Sequence, residues 1–127
     1  MKKKVLIVDD DPTSLKVTES ILSTNGYEVK TLMHAANIED KVKGFNPHVI
    51  VMDLIMPNVD GTQAVKILQS NPVLKNVPVI FLTAIHTKDA VRGLEYDIQV
   101  EGRSYRTLNK PIDPKILLSE LENLIKQ

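Results

Sequence analysis

Short apolar runs alternate with longer stretches of helical spacing along this chain. Each run is rich in β-branched residues and is bounded by turn residues, which is typical of strands buried on both faces of a parallel sheet. The runs predict five strands, at Lys4–Val8, Tyr27–Leu32, His48–Met52, Val77–Leu82 and within Arg103–Leu108.

The stretches between the strands predict about five crossover helices. The first begins at an Asp11 cap followed by Pro12, and Asn25-Gly26 ends it, because a glycine there tolerates a positive φ. The others are expected near Ala36–Lys43, over Thr62–Gln69, between Thr83 and Lys110, and from Asp113 and Pro114 through Ile125. This alternation predicts an α/β fold: one domain over residues 1–127, with a doubly wound parallel sheet inside a three-layer αβα sandwich.

Aspartates follow two of the predicted strands at their carboxyl ends. Asp9, Asp10 and Asp11 follow the first strand, and Asp53 ends the third. Capping accounts for Asp11 alone. In open α/β sheets ligands bind at the carboxyl edge, and carboxylates held together there repel one another unless a cation neutralises them. An all-oxygen ligand set without an EF-hand loop predicts Mg²⁺ rather than Ca²⁺.

Two further strand ends bring a hydroxyl and an ammonium to the same edge. Thr83 ends the fourth strand, and Lys110, followed by Pro111, ends the fifth. Either residue alone is more often a turn residue or a solvated charge. Together with the carboxylates they form the set needed to receive a phosphoryl group, with Asp53 as nucleophile because the loop behind it leaves it accessible.

Four motifs, in register over essentially the whole chain, resemble the receiver domain of two-component response regulators. They are Val8-Asp9-Asp10-Asp11-Pro12, Asp53-Leu-Ile-Met56-Pro57 with Asp60-Gly61, Thr83-Ala84, and Lys110-Pro111. The resemblance implies a flavodoxin-like, five-stranded parallel sheet with strand order 2-1-3-4-5. It also implies that Asp53 accepts a phosphoryl group from a histidine kinase or a phosphotransfer protein.

The resemblance also implies a ligand set for magnesium. Asp10 and Asp53 would ligate the ion directly, and Asp9 would act largely through water. The backbone carbonyl of Ile55 would complete the protein ligands.

For the phosphoryl group, the resemblance implies contacts from Thr83 and Lys110, with a cis Lys110–Pro111 bond. In the family, the threonine then swings toward the phosphoryl group and an aromatic residue on the last strand turns inward. This chain has Thr107 at the aromatic position. Tyr105 lies two residues earlier, on the same face by strand alternation, and the family's rule does not carry over to it.

A second departure lies between Thr83 and Lys110, where the chain is longer than in typical receivers. The segment from Gln99 to Arg106 precedes Thr107 and predicts an extra turn or hairpin around Glu101-Gly102. The preceding helix is expected to be short or displaced, which makes this region atypical. A tolerated surface insertion and a functional change remain open as explanations.

Ile55 and Ile85 flank the predicted chemistry with apolar side chains. We predict that they hinder a hydrolytic water and prolong the phosphorylated state. The dephosphorylation rates of the wild type and of Ile55→Asn test this, since equal, fast rates would refute it.

Composition narrows the function further. Lysine plus arginine equal aspartate plus glutamate at 16 each, which argues against direct nucleic-acid or membrane binding. The absence of cysteine excludes disulfides and thiolate sites. The sequence therefore predicts a cytoplasmic protein. We expect it to act as a monomer or a phosphorylation-dependent dimer, toward a downstream protein or an output domain.

Three functions stay open at this level. The first is a phosphoacceptor signalling domain whose only chemistry is self-catalysed phosphoryl uptake and loss. The second is a magnesium-dependent aspartyl-phosphate phosphatase, for which Asp9 and Asp11 have the bare Asp-x-Asp spacing. The third is a receiver-like module that binds partners without phosphate. Because the chain ends directly after the last predicted helix, we expect a stand-alone regulator or the receiver segment of a longer protein.

Overall fold

A six-stranded sheet forms the centre of the computed structural model, which describes residues 2–57, 59–84 and 96–126. The strands are β1 (Lys4–Val8), β2 (Glu28–Leu32), β3 (Val49–Asp53), β4 (Val79–Thr83), β5 (Tyr96–Val100) and β6 (Arg103–Asn109). The described helices are α1 (Pro12–Thr24), α2 (Ile38–Phe45), α3 (Gly61–Gln69) and α4 (Pro114–Ile125). The order in the sheet is β2-β1-β3-β4-β6-β5, and every pairing is parallel except that of β5 with β6.

Side chains alternate between two buried clusters on opposite faces of the sheet. Leu6 and Val8 of β1 join the cluster that contains residues of α2 and α3. Val5 and Ile7 join the cluster that contains residues of α1 and α4. The α/β class and the three-layer arrangement are therefore confirmed.

The predicted count of five strands is wrong, because the extra segment adds an antiparallel sixth strand at the edge of the sheet. β5 and β6 form a hairpin in which Val100 pairs with Arg103. The turn between them is Glu101-Gly102, with φ of 49° and 82°. Consecutive positive φ values are typical of tight hairpin turns. The hairpin predicted at this point is thus confirmed, and the five parallel strands keep the predicted order. The helix predicted between Thr83 and Lys110 falls on residues 85–95, outside the described residues.

Side-chain contacts with α3 and with the segment that follows it hold this hairpin in place. The Gln69 side-chain amide donates to the Val100 carbonyl at 3.1 Å. The Arg103 guanidinium donates to the carbonyl of Lys75, and Lys66 lies 3.8 Å from the Glu101 carboxylate. The hairpin therefore packs on the same face of the sheet as α3, with Val100 in the α2–α3 cluster.

The ends of α2 differ from the predicted ones because asparagine residues interrupt the helical backbone there. α2 begins and ends two residues later than predicted, since Asn37 and Asn46 adopt left-handed conformations at φ of 57° and 54°. Asparagine tolerates that conformation better than most residues. By contrast, Asp11 and Asp113 cap α1 and α4 as predicted, accepting hydrogen bonds from the Thr13 and Lys115 N–H groups. Among the described helices, none combines the length and apolar character needed to cross a membrane.

Gly61 makes a close backbone approach at the start of α3. A Cβ atom there would lie 2.7 Å from the Asp53 carbonyl oxygen and 3.0 Å from the Phe81 ring. We expect Gly61→Ala to lower the free energy of unfolding by about 1–3 kcal/mol, because backbone must move to make room. Gly44→Ala is the matched control: nothing lies within 4 Å of its Cβ, and alanine in place of a helical glycine is expected to raise the free energy of unfolding by about 0.5–1 kcal/mol. Urea unfolding of both variants checks this, and equal effects would contradict it.

Candidate functional site

The sheet brings the predicted acidic residues to one edge. Asp9 directly follows β1, its N–H donates to the Leu32 carbonyl at 3.0 Å, and its side chain is fully buried. Asp53 is the last residue of β3 and is 5% exposed. Because β1 and β3 are parallel neighbours, their carboxyl ends meet, as the strand-end argument predicts.

Asp9, Asp10 and Asp53 converge closely enough to share one cation. Each offers a carboxylate oxygen, and these oxygens lie within 4.8 Å of one another. In the described part of the chain, no other group of His, Asp or Glu side chains is placed in this way. Three carboxylates from two strand ends match the oxygen donors that Mg²⁺ prefers.

Lys110 reaches the same carboxylates from the end of β6. Its Nζ donates to Asp9 Oδ2 at 2.9 Å and to Asp53 Oδ2 at 3.4 Å. Its backbone N–H donates to the Thr83 carbonyl at 2.8 Å, which fixes the residue beside β4. The Lys110–Pro111 peptide bond is cis, as the resemblance implies.

The charges of this site are unevenly balanced. Burial, together with the neighbouring Asp9 and Asp10, raises the pKa of the Asp53 carboxyl to about 7, against the opposing pull of Lys110. For Asp9, burial acts to raise the pKa, but hydrogen bonds from the Asp11 N–H and from Lys110 outweigh it and lower the pKa. Among the described residues, the ammonium of Lys110 alone does not compensate all the carboxylates.

For Lys110 itself, burial acts to lower the pKa, but the hydrogen bond to Asp9 and the charge of Asp53 outweigh it and raise the pKa. The lysine therefore stays charged throughout the physiological range. A divalent cation would supply the compensation that the carboxylates still lack.

Thr83 and Ile55 occupy contrasting positions around the carboxylates. Thr83 ends β4 and is fully buried, and its hydroxyl makes no hydrogen bond to any residue that the structure describes. A buried hydroxyl without a partner costs free energy, so an acceptor bound at this strand end would be stabilised by a hydrogen bond from Thr83. Ile55 lies in the loop after β3 with its side chain 63% exposed. Ile85, its predicted counterpart, lies outside the described residues.

Two features of β6 go beyond the sequence-based interpretation. Tyr105 lies on the face predicted for it, but its hydroxyl accepts a hydrogen bond from Gln69, and its ring packs edge-on against Phe81 at 5.7 Å. Thr107 is fully buried, and its hydroxyl has no hydrogen-bond partner among the described residues. Strand alternation indicated the shared face, whereas burial of a lone hydroxyl leaves no signal in the sequence.

Comparison with known proteins agrees with this geometry. The model of the response regulator receiver domain family matches residues 5–122. The chain is 30% identical over 127 residues to "Response regulator PleD" of Caulobacter vibrioides, covering 99% of this chain and 27% of that protein. It is also 30% identical over 112 residues to "Polar-differentiation response regulator DivK" of Brucella anthropi, covering 88% and 87% of the two chains.

Solved structures show the same fold. The structure of the chemotaxis response regulator CheY4 of Vibrio cholerae superposes with a TM-score of 0.78 at 27% identity, covering 98% of this chain and 99% of that one. Relatives differ in length, and the chain spans only about a quarter of PleD. The family match, the shared fold and the acidic strand ends together show that this chain belongs to the response regulator receiver domain family.

Proposed function

We propose that this domain accepts a phosphoryl group on Asp53 in a magnesium-dependent reaction and signals through the resulting change in conformation. The observation that carries the proposal is the convergence of Asp9, Asp10 and Asp53 with the Lys110 ammonium at one strand edge. The donor would be a phosphohistidine of a histidine kinase or a phosphotransfer protein in the cytoplasm. The receiver of the signal would be a downstream protein or an output domain.

In the transfer step, a carboxylate oxygen of Asp53 attacks the phosphorus atom of the donor. The new bond joins that oxygen to phosphorus, and the bond between phosphorus and the donor's imidazole nitrogen breaks. The electron pair of the broken bond stays on the imidazole, which takes up a proton. The reaction needs Asp53 in its ionised form, and the neighbouring carboxylates oppose that form while Lys110 favours it.

The residues around Asp53 would have two further roles, contact with the phosphoryl oxygens and binding of Mg²⁺. Lys110 and Thr83 would donate to the oxygens of the phosphoryl group, where negative charge accumulates. Asp10 and Asp53, with Asp9 and the carbonyl of Ile55, would hold Mg²⁺. When bound, Mg²⁺ supplies charge neutralisation at the carboxylates and the phosphoryl oxygens.

The geometry disfavours the phosphatase alternative. That chemistry needs a nucleophile and a second aspartate two residues later acting at one site. Asp11 is exposed and caps α1, with its Oδ1 accepting from the Thr13 N–H at 3.0 Å. The cluster itself also disfavours a partner module without phosphate chemistry. Such a module would need no cation or phosphoryl group, and three carboxylates held together repel one another unless they are neutralised.

Incubation with Mg²⁺ and acetyl phosphate, followed by intact-mass measurement and assay of released phosphate, tests the proposal. A receiver gains the mass of one phosphoryl group and releases phosphate slowly. Steady release of phosphate over many turnovers would instead support the phosphatase. No change in mass and no release would support the phosphate-independent module.

A further inference from the structure

β5 forms one edge of the described sheet, and its pairing with β6 is regular along its whole length. All five residues from Tyr96 to Val100 pair with successive residues of β6, without a bulge. β5 contains neither lysine nor proline, which commonly protect an edge strand from pairing with another chain. β2, the strand at the opposite edge, carries the exposed Lys30. Of the two edges, β5 is therefore the one without these protections.

The backbone groups of Asp97 and Gln99 point away from β6. Val100 and Arg103 flank the two-residue turn, and such a closing pair exchanges both of its backbone hydrogen bonds. Bonded and non-bonded pairs alternate along an antiparallel ladder, so Ile98 also bonds to β6 whereas Asp97 and Gln99 do not. Both of these residues are exposed, and 53% of the Asp97 side chain is open to solvent. Among the described strands, none pairs with this outer side of β5.

Contacts from α3 and α4 hold the hairpin that carries this edge. Gln69 of α3 donates to the Val100 carbonyl at 3.1 Å. Arg106 of β6 lies 3.8 Å from the Asp97 carboxylate and 3.5 Å from the carboxylate of Glu120 in α4. A strand that is already held in place loses little conformational freedom when another strand pairs with it. The edge is therefore preorganised for pairing.

We propose that β5 pairs antiparallel with β5 of a second copy of this chain, about a twofold axis at Ile98. In this register Asp97 lies opposite Gln99 of the second copy, and the outward backbone groups of both residues exchange hydrogen bonds across the axis. The two Ile98 side chains face each other on the side of the sheet that packs on α3. The chain carries equal numbers of basic and acidic residues, so two copies do not repel each other at long range.

Charge selects this register over its neighbours. An axis at Asp97 would place the two Asp97 carboxylates opposite each other, and an axis at Gln99 would place Asp97 opposite Glu101 of the second copy. Like charges directly opposite destabilise a strand pair. In the proposed register Asp97 instead meets the uncharged Gln99. The Gln99 amide donates to Ser104 through one N–H, and its second N–H can donate to the Asp97 carboxylate of the second copy.

The pairing is independent of the proposed function, because none of its residues belongs to the carboxylate site. A five-residue edge is small beside the interface of a permanent dimer, so we expect a weak association. The edge contributes mainly backbone hydrogen bonds, and the opposed side chains set the register.

Sedimentation equilibrium of the full chain, up to about 1 mM protein, measures the association. We expect Gln99→Lys to tighten the dimer by about two- to thirtyfold, because the twofold axis creates two lysine–aspartate pairs. Gln99→Glu should weaken the dimer, since it places carboxylates opposite Asp97. In an Asp97→Asn background the lysine should bring no comparable gain. The matched control, Ser104→Lys, adds the same charge on the inner strand and should change the association far less.

Cross-linking through a single introduced cysteine tests the position of the axis. The chain has no cysteine of its own. Opposed residues in a non-bonded antiparallel pair have Cα atoms about 4.5 Å apart, which a disulfide can span. Under mild oxidation Ile98→Cys should therefore form a covalent dimer. Val29→Cys, at a half-buried position on the opposite edge strand β2, is the control and should cross-link far more slowly.

A wild type that stays monomeric up to about 1 mM would overturn the proposal. A dimer whose affinity does not respond to Gln99→Lys and Gln99→Glu would also overturn it, by placing the interface elsewhere. Equal cross-linking of the two cysteine variants would have the same meaning. Because Gln99 is exposed, its variants keep the test decisive even if Ile98→Cys fails to fold.

Discussion

The Asp53→Asn variant is expected to take up no phosphoryl group from acetyl phosphate, whereas the wild type takes up one. The substitution keeps the shape of the side chain but removes the anionic oxygen that attacks phosphorus. No other described carboxylate belongs to the last residue of a strand and lies beside Lys110. Asp9, which follows β1, is fully buried and accepts hydrogen bonds from the Asp11 N–H and from Lys110. Intact mass after reaction in Mg²⁺ measures the difference directly.

Asp60→Asn is the matched control for this loss. Asp60 lies in the loop that follows Asp53, where its side chain caps α3 by accepting from the Gln63 N–H at 2.9 Å. Asparagine caps helices about as well as aspartate, so the fold should be kept. Asp60→Asn should therefore gain one phosphoryl group as the wild type does. A phosphoryl group on Asp53→Asn, at any position, would refute the assignment of the phosphoacceptor.

The stability of the protein without metal is the second property expected to change strongly, both with pH and on substitution of Asp53. The pKa of Asp53 is about 7 in the folded protein and 3.8 for the unperturbed group. The folded state therefore holds this proton more tightly than the unfolded state. The contribution of this bound proton to the free energy of unfolding is complete below the pKa of the unfolded state and is lost as pH rises through about 7.

The neighbouring groups do not reverse this sign. The lowered pKa of Asp9 affects stability only at acidic pH, and the raised pKa of Lys110 only above its ordinary value of 10.5. Between about pH 5 and 8 the wild type should lose stability in a chelator as pH rises. Asp53→Asn cannot ionise there. It should be more stable than the wild type by about 1–3 kcal/mol near pH 8. This is less than the free energy that corresponds to the full pKa shift of Asp53, because Lys110 loses a charged partner in the variant.

Urea unfolding in a chelator, near pH 5 and near pH 8, checks this expectation. The two proteins should differ least at the lower pH, where Asp53 is largely protonated. Added Mg²⁺ should stabilise the wild type and have a smaller effect on Asp53→Asn, by mass action on the folded state. A wild type that becomes more stable on going from the lower to the higher pH in chelator would contradict the proposed electrostatics.

Much of this site was predictable because its chemistry lies at strand ends. Asp9, Asp53 and Thr83 each follow or end an uninterrupted apolar run, and strand direction alone brings such positions to one edge. The Asp11 and Asp113 caps have equally local signals, a polar residue directly before proline. These features need no knowledge of distant contacts.

The features that the sequence did not reveal depend on contacts distant along the chain. The sequence predicts the hairpin around Glu101-Gly102, but its place at the edge of the sheet depends on the pairing of β6 with β4, where Phe81 lies beside Thr107. The hydrogen bond between Gln69 and Tyr105 joins residues 36 positions apart. The lone hydroxyl of Thr107 is visible only once neighbouring elements have buried it. Tertiary packing, rather than local pattern, decides each of these.

A calorimetric titration with Mg²⁺ near pH 8 tests the central claim most directly, on the wild type, Asp10→Asn and Asp53→Asn. If the carboxylates of Asp9, Asp10 and Asp53 jointly hold one cation, the wild type binds a single ion per chain, and each variant binds it at least about tenfold more weakly, the loss of one charged ligand. Equal affinity in all three proteins, or no saturable binding by the wild type, would contradict the account.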